Sequence, residues 1–151
     1  MREKEIRAWK KVYEADLGYI AYELKELVEP PAMILLEGPL GAGKTTFSKI
    51  FIDNDETFSP SYSLLSDTKD VLHGDFYRLK TREEIIHLEL PLYLEDKNYF
   101  LVEWGKSLLQ SIDKELPEDF SLYLLEISLN ELKESEEIES RNFTLFEILE
   151  V

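Results

Sequence analysis

Eight consecutive residues, Gly38-Pro39-Leu40-Gly41-Ala42-Gly43-Lys44-Thr45, place three glycines, a lysine and a hydroxyl at the spacing G-x-x-x-x-G-K-[ST]. Glycines let the backbone turn back on itself, so that successive N–H groups point inward at an anion. A helix opening at the lysine adds the positive end of its dipole. In such a phosphate loop Lys44 reaches the β- and γ-phosphates of a nucleotide, and the Thr45 hydroxyl is a ligand for Mg²⁺. The residues expected to line the nucleotide are Gly38, Leu40, Gly41, Ala42, Gly43, Lys44, Thr45 and Thr46. A chance glycine turn is the competing explanation. The apolar run before the motif and the helical pattern after it weigh against that.

Phosphoryl chemistry also needs an acid at the end of a nearby strand, to hold the metal shell or to orient water. Glu103 follows Phe100-Leu101-Val102, and Asp75 follows the run begun by Val71-Leu72. Either is a candidate catalytic acid beside Lys44, and Glu103 is the second metal candidate with Thr45. A surface carboxylate capping the next helix is the plain alternative for each. Trp104 reads as packing. His73-Gly74-Asp75-Phe76-Tyr77-Arg78 crowds one of two histidines with an acid, a phenol and a cation. Ser59-Pro60-Ser61-Tyr62 sets hydroxyls beside a rigid proline, where nucleotide switches sense the γ-phosphate. An ordinary turn explains that segment equally well from its residues. Ser61, His73, Tyr77 and Arg78 are the switch candidates.

These residues need a frame. Leu17, Ile20, Ala21, Leu24, Leu27 and Val28 recur at helical spacing, which predicts a helix over 15–28 ended by Pro30 and Pro31. Met33–Leu36 is a short apolar run suited to a buried parallel strand. Residues 44–52 predict the next helix, and Val71 to Asp75 a strand. A further helix is expected over 81–90, with Thr81 and Glu84 as a capping box. Tyr99–Val102 is again strand-like, and Ser121–Leu129 and Asn142–Leu149 read as late strands around a charged turn. The order α-β-α-β-α-β-α-β-β implies an α/β fold of the P-loop NTPase type. Its mixed sheet has a parallel centre, antiparallel C-terminal strands and helices on both faces. The expected organisation is one domain over 1–151, with a nucleotide-binding core over 32–111 and C-terminal strands over 120–150.

Composition bounds the function classes. The chain has 151 residues, 17 Lys and Arg against 32 Asp and Glu, and a formal charge of −15. With 44% hydrophobic residues it is long enough to bury a core. So acidic a balance argues against a protein that grips nucleic acid unaided, because phosphate binding runs on clustered cations. No apolar run reaches membrane-spanning length, and Met1 to Glu5 lacks the apolar stretch of a secretory signal. Having no cysteine excludes disulfides, thiolate metal sites and cysteine nucleophiles. The charge is uneven: residues 113–151 hold 12 acids and three basic residues, whereas the first 11 hold five basic residues and two acids.

In order, these landmarks resemble the TsaE family, the bacterial ATPase of tRNA threonylcarbamoyladenosine biosynthesis. The family pattern G-x-L-G-A-G-K-T-T is present from Gly38 to Thr46. The S-P-[TS]-Y element looks like Ser59 to Tyr62. H-x-D-x-Y-R-L is present as His73, Asp75, Tyr77, Arg78 and Leu79, and the Glu-Trp pair as Glu103-Trp104. The resemblance covers residues 14–105 and implies a cytoplasmic ATPase using ATP and Mg²⁺. It implies a partner complex of TsaD- and TsaB-type subunits that transfers a threonylcarbamoyl group to adenosine next to the anticodon of ANN-decoding tRNAs. The tRNA would be met only through those partners, with no membrane or DNA involved. By motif match Lys44 binds phosphate, Thr45 and Glu103 organise Mg²⁺, Asp75 is the essential acid, and Ser61 and His73 lie on the γ-phosphate side. The chain departs from the pattern in a shorter stretch between Thr46 and Ser59, in Ser61 for the usual Thr, and in Gly105-Lys106 after the tryptophan.

Two other classes share the loop. A small-molecule or nucleotide kinase closes an arginine-bearing lid over the phosphates, but no arginine lies between residues 83 and 140. A nucleotide-dependent binding module would keep Lys44 and Thr45 and dispense with hydrolysis.

Overall fold

A computed structural model of the chain describes residues 1–52 and 64–151. The Ser59-Pro60-Ser61-Tyr62 element, Ser61 included, lies outside the described residues. The strands are β1 (Arg2–Val12), β2 (Ala32–Glu37), β3 (Leu65–Asp67), β4 (Val71–Asp75), β5 (Tyr99–Glu103), β6 (Ser121–Leu129) and β7 (Arg141–Glu150). The helices are α1 (Leu17–Leu27), α2 (Lys44–Ile52), α3 (Arg82–His87), α4 (Leu90–Leu94) and α5 (Leu109–Asp113).

The strands form one sheet in the order β1-β7-β6-β2-β5-β4-β3. β2 is parallel to both β5 and β6, and β4 is parallel to β5. β7 is antiparallel to β6 and to β1, and β3 is antiparallel to β4. The expected parallel centre with late antiparallel pairing is therefore present, and β6 itself belongs to the parallel centre. β2 is the middle strand because its residues tolerate burial on both faces. Ala32, Met33, Ile34, Leu35 and Leu36 are all fully buried.

Alternation along β2 divides the core. Ala32, Ile34 and Leu36 pack under α1 and α2 with Phe47, Phe51 and Phe143. Met33 and Leu35 face the other way, with Ile85, Leu90 and Ile112 of α3, α4 and α5. Helices thus cover both faces, as expected.

Three elements differ from the sequence expectation. The helix expected over 81–90 begins as foreseen. Thr81 accepts from the Glu84 N–H at 3.2 Å, and Glu84 accepts from the Thr81 N–H at 3.1 Å. It then stops at His87, because Glu89 is left-handed (φ 56°) and Pro91 restarts the chain as α4. β3 is a three-residue edge strand. β1 is an 11-residue edge strand whose apolar residues Ile6, Trp9 and Val12 come every third position. Register shifts between Glu5 and Arg7 and between Trp9 and Val12, with Lys11 at φ 55°, break its two-residue alternation.

Candidate functional site

The C-terminal ends of β2, β4 and β5 lie side by side, and the strand order reverses at β2: the chain builds β3, β4 and β5 on one side of it and β6 and β7 on the other. Open α/β sheets bind ligands at such a crevice. The loop between β2 and α2 occupies it. Gly41 (φ 83°) and Gly43 (φ 99°) hold backbone conformations that side chains resist. Gly38 is needed for a different reason: a Cβ there would meet the Ile127 carbonyl oxygen of β6 at 2.5 Å. The glycines that sequence reading assigned to an anion cradle thus sit where only glycine fits. Leu40, Gly41, Thr45 and Thr46 are exposed at the loop rim, whereas Ala42 is buried beneath it.

Lys44 begins α2 and is only 5% exposed. Its Nζ donates to the carbonyl oxygens of Gly38 and, at 3.2 Å, Pro39. It also lies 3.7 Å from the centroid of the Trp104 ring, a cation–π contact. Burial lowers the ammonium's pKa, while the carboxylates of Glu103, Glu37 and Asp75 act the other way. A lysine held by two carbonyls and a ring face, within the field of three acids, is positioned for an incoming anion.

Glu103 ends β5 and is 2% exposed. One oxygen accepts from the Thr45 hydroxyl at 2.8 Å, and the other lies 2.5 Å from His73 Nε2. His73 projects from β4, where its Cα pairs with Leu101, and is itself buried. The sequence assigned these three residues to one site from three separate segments, and the fold joins them through the buried Glu103 carboxylate. Thr45 and Glu103 form an oxygen-only donor pair, the kind a hard cation such as Mg²⁺ takes. Among the described residues no group of three or more His, Asp or Glu gathers to hold a metal. An ion there would draw further ligands from phosphate and water.

Asp75 is the Cα partner of Glu103 across β4 and β5 but is exposed at the mouth. Its carboxylate accepts from the Tyr77 N–H at 3.2 Å. Tyr77 is exposed and its ring meets that of Trp104 edge-on, with centroids 5.0 Å apart. Arg78 is exposed beside it. So Glu103 sits in the floor and Asp75 at the entrance, two carboxylates in different environments.

Sequence reasoning undervalued Trp104. The residue packs, as expected, on Tyr77, but it also carries Lys44 on its face. Its left-handed backbone (φ 62°) is costly for an aromatic residue and turns the ring back over the loop. Gly105 makes this turn possible, because a Cβ there would meet Val102 Cγ1 at 2.5 Å. Glu37, at the end of β2, was also passed over. It accepts from the Lys106 N–H at 2.8 Å and, with Trp104, Lys106 and Ser107, lines a cleft of about 390 Å³. Partial burial raises its carboxyl pKa. Position alone, next to Gly38 and to Glu103, was the available signal for both. Arg141 had no such signal. Its Nε donates to the Ala42 carbonyl at 2.7 Å across 99 residues of sequence.

The chain is similar to known proteins. The family model described as "Threonylcarbamoyl adenosine biosynthesis protein TsaE" matches residues 13–143. The tRNA threonylcarbamoyladenosine biosynthesis protein TsaE of Bacillus subtilis is 30% identical over 119 residues, 74% of this chain and 72% of that protein. The protein of the same name from Rickettsia felis is 35% identical over 102 residues, 62% of this chain but 59% of its own length. The crystal structure of Bacillus subtilis YdiB superposes with a TM-score of 0.62 at 24% identity, covering 98% of this chain and 88% of that one, and so shares its fold. No described helix is long and apolar enough to cross a membrane. With the glycine loop, the His73–Asp75 strand and the Glu103-Trp104 pair all inside the matched region, the chain belongs to the TsaE family.

Proposed function

We propose that this protein binds ATP with Mg²⁺ and hydrolyses it to ADP and phosphate, slowly alone and faster with partners. In this reading it serves threonylcarbamoyladenosine modification of tRNA, acting in the cytoplasm on a threonylcarbamoyl-transfer complex of TsaD- and TsaB-type subunits. The names of its relatives support the pathway. The convergence of Lys44, Thr45 and Glu103 under one glycine loop supports the chemistry, and that is the observation that carries the reading.

Phosphoryl transfer asks a protein mainly for placement and charge. The loop amides and the N-terminus of α2 hold the phosphates, and Lys44 leaves its carbonyl partners for the γ-phosphate side. Thr45 and Glu103 would hold Mg²⁺, which supplies charge neutralisation on the phosphate oxygens. His73 fixes the Glu103 carboxylate from behind, so its second oxygen stays aimed at Thr45. Asp75, exposed at the mouth, is placed to accept a proton from water. Apart from Arg78, exposed at the mouth, the sequence offers no obvious arginine finger, which fits a slow intrinsic rate that a partner raises.

The test is ATP turnover and tRNA threonylcarbamoyladenosine formation with the wild-type chain and with Lys44→Ala, each alone and with the partner complex. Lys44→Ala should cut turnover by about 10²-fold or more and abolish modification. Wild-type turnover no faster than the variant's, with the complex present, would overturn the reading.

A further inference from the structure

The sequence singles out no motif after the Glu103-Trp104 pair, although the family match runs on to residue 143, and one side chain of that stretch reaches the phosphate loop. β7 alternates, so Arg141, Phe143 and Leu145 share a face. Phe143 and Leu145 are buried on the α2 side, with the Phe143 ring 5.7 Å from that of Phe47. Arg141 therefore emerges one step beyond the core, directly under the loop that precedes α2. It sits between two strands, with Val12 of β1 and Leu129 of β6 as Cα partners, so its backbone is fixed from both sides. Its Nε donates to Ala42 O at 2.7 Å and its Nη2 to Gly41 O at 3.2 Å. Nη2 also meets Glu139 Oε2 at 3.4 Å. A Cβ on Gly43 would lie 3.8 Å from Arg141 Nε, so the guanidinium follows the outer wall of three successive loop residues.

A peptide that turns its carbonyl outward turns its N–H the opposite way. From this we propose that Arg141 is a positioning residue for nucleotide binding: by holding the Ala42 carbonyl outward it keeps the Gly43 amide aimed at the phosphates, and by holding the Gly41 carbonyl it braces the turn in which the Ala42 N–H donates to the Pro39 carbonyl at 3.0 Å. The rigid fork matters, because two carbonyls on adjacent residues are taken by two nitrogens of one planar group. The guanidinium also puts a positive charge behind the loop, on the side away from Lys44. The proposal rests on the ATP-binding reading.

Calorimetric titration of the full chain with ATP and with ADP, each with Mg²⁺, tests it. Wild-type binding is measured first; if it is absent, the ATP-binding reading fails. Given wild-type binding, Arg141→Ala should weaken ATP and ADP alike, about tenfold, because both place phosphates against the same amides. Arg141→Lys, able to satisfy one carbonyl, should recover about a third of the loss on a logarithmic scale. A merely structural arginine would move a different quantity: fewer binding-competent molecules per mole of protein, with the affinity of the remainder unchanged. That pattern, or an Arg141→Ala affinity within twofold of wild type, would overturn the proposal.

Discussion

Glu103 and Glu150 are both carboxylates at the ends of strands, each beside a nitrogen-bearing side chain, in opposite surroundings. Glu150, at the end of β7, is 74% exposed and lies 3.7 Å from Arg2 Nε, itself 69% exposed. Water and salt can replace everything that pair makes, and such pairs contribute about 0–1 kcal/mol. Glu103 is buried and spends both oxygens, on the Thr45 hydroxyl and on His73. An ionised group pulled from water is costly unless it is paired and hydrogen-bonded. The chain carries 32 acids, and the comparison shows how to sort them: among the described residues, the buried carboxylate, Glu103, sits against the phosphate loop.

The largest expected effect follows from the enclosed member. Glu103→Ala leaves His73 Nε2 and the Thr45 hydroxyl without that carboxylate and opens a cavity at the end of β5. We expect a loss of about 3 kcal/mol, seen as a fall in Tm of roughly 6–12 °C for a domain of this size, together with loss of ATP turnover. Glu103→Gln preserves volume and one acceptor, so it should recover about half of the stability and little of the turnover. Thermal melts and turnover on the same preparations separate the two. If Glu103→Ala melted within 2 °C of wild type, its burial would be energetically no different from exposure at Glu150.

How much of this was readable beforehand also divides along the comparison. The loop, Glu103, His73 and Asp75 were legible because their chemistry forces adjacent residue types: an apolar strand, a turn of glycines, an acid where the strand ends. The parallel centre was legible because Met33–Leu36 is apolar on both faces. β1 was not, since bulges set Ile6, Trp9 and Val12 three apart, which imitates no strand period. The helix over 81–90 was misjudged in length because the left-handed Glu89 breaks it while leaving the apolar spacing intact, and no residue type there marks that φ. Arg141 and the role of Trp104 were hidden for a common reason: each contact is made across the sheet or through an unusual φ, and neither leaves a local pattern.

Glu37 lies between the two extremes and sharpens the comparison. Its carboxyl pKa is raised by partial burial, offset by the Lys106 amide and by the Lys106 and Lys44 charges. A raised pKa means that the folded state binds this proton more tightly than the unfolded chain does. The group's stabilising contribution is then present below the unfolded-state carboxyl pKa and is lost as pH rises through the folded-state value. Glu37→Gln removes that loss while leaving an acceptor for the Lys106 N–H. Its Tm should exceed wild type by ~1–2 °C at pH 8, and the gap should close towards pH 4. A variant less stable than wild type at pH 8 would mean that the ionised Glu37 carboxylate is a net asset to the fold.

The smallest effect belongs to Arg2 and Glu150. A double-mutant cycle with Arg2→Ala and Glu150→Ala should return a coupling below about 0.5 kcal/mol that disappears at about 0.5 M salt. β1 stays on the sheet for other reasons: it pairs with β7 from Arg2 to Val12, and Trp9 is buried with its indole N–H on Glu23 at 3.0 Å. A coupling above 1 kcal/mol, insensitive to salt, would show that exposed charges hold this edge. Sorting the acids by burial would then fail at the end of the sheet where it should be safest.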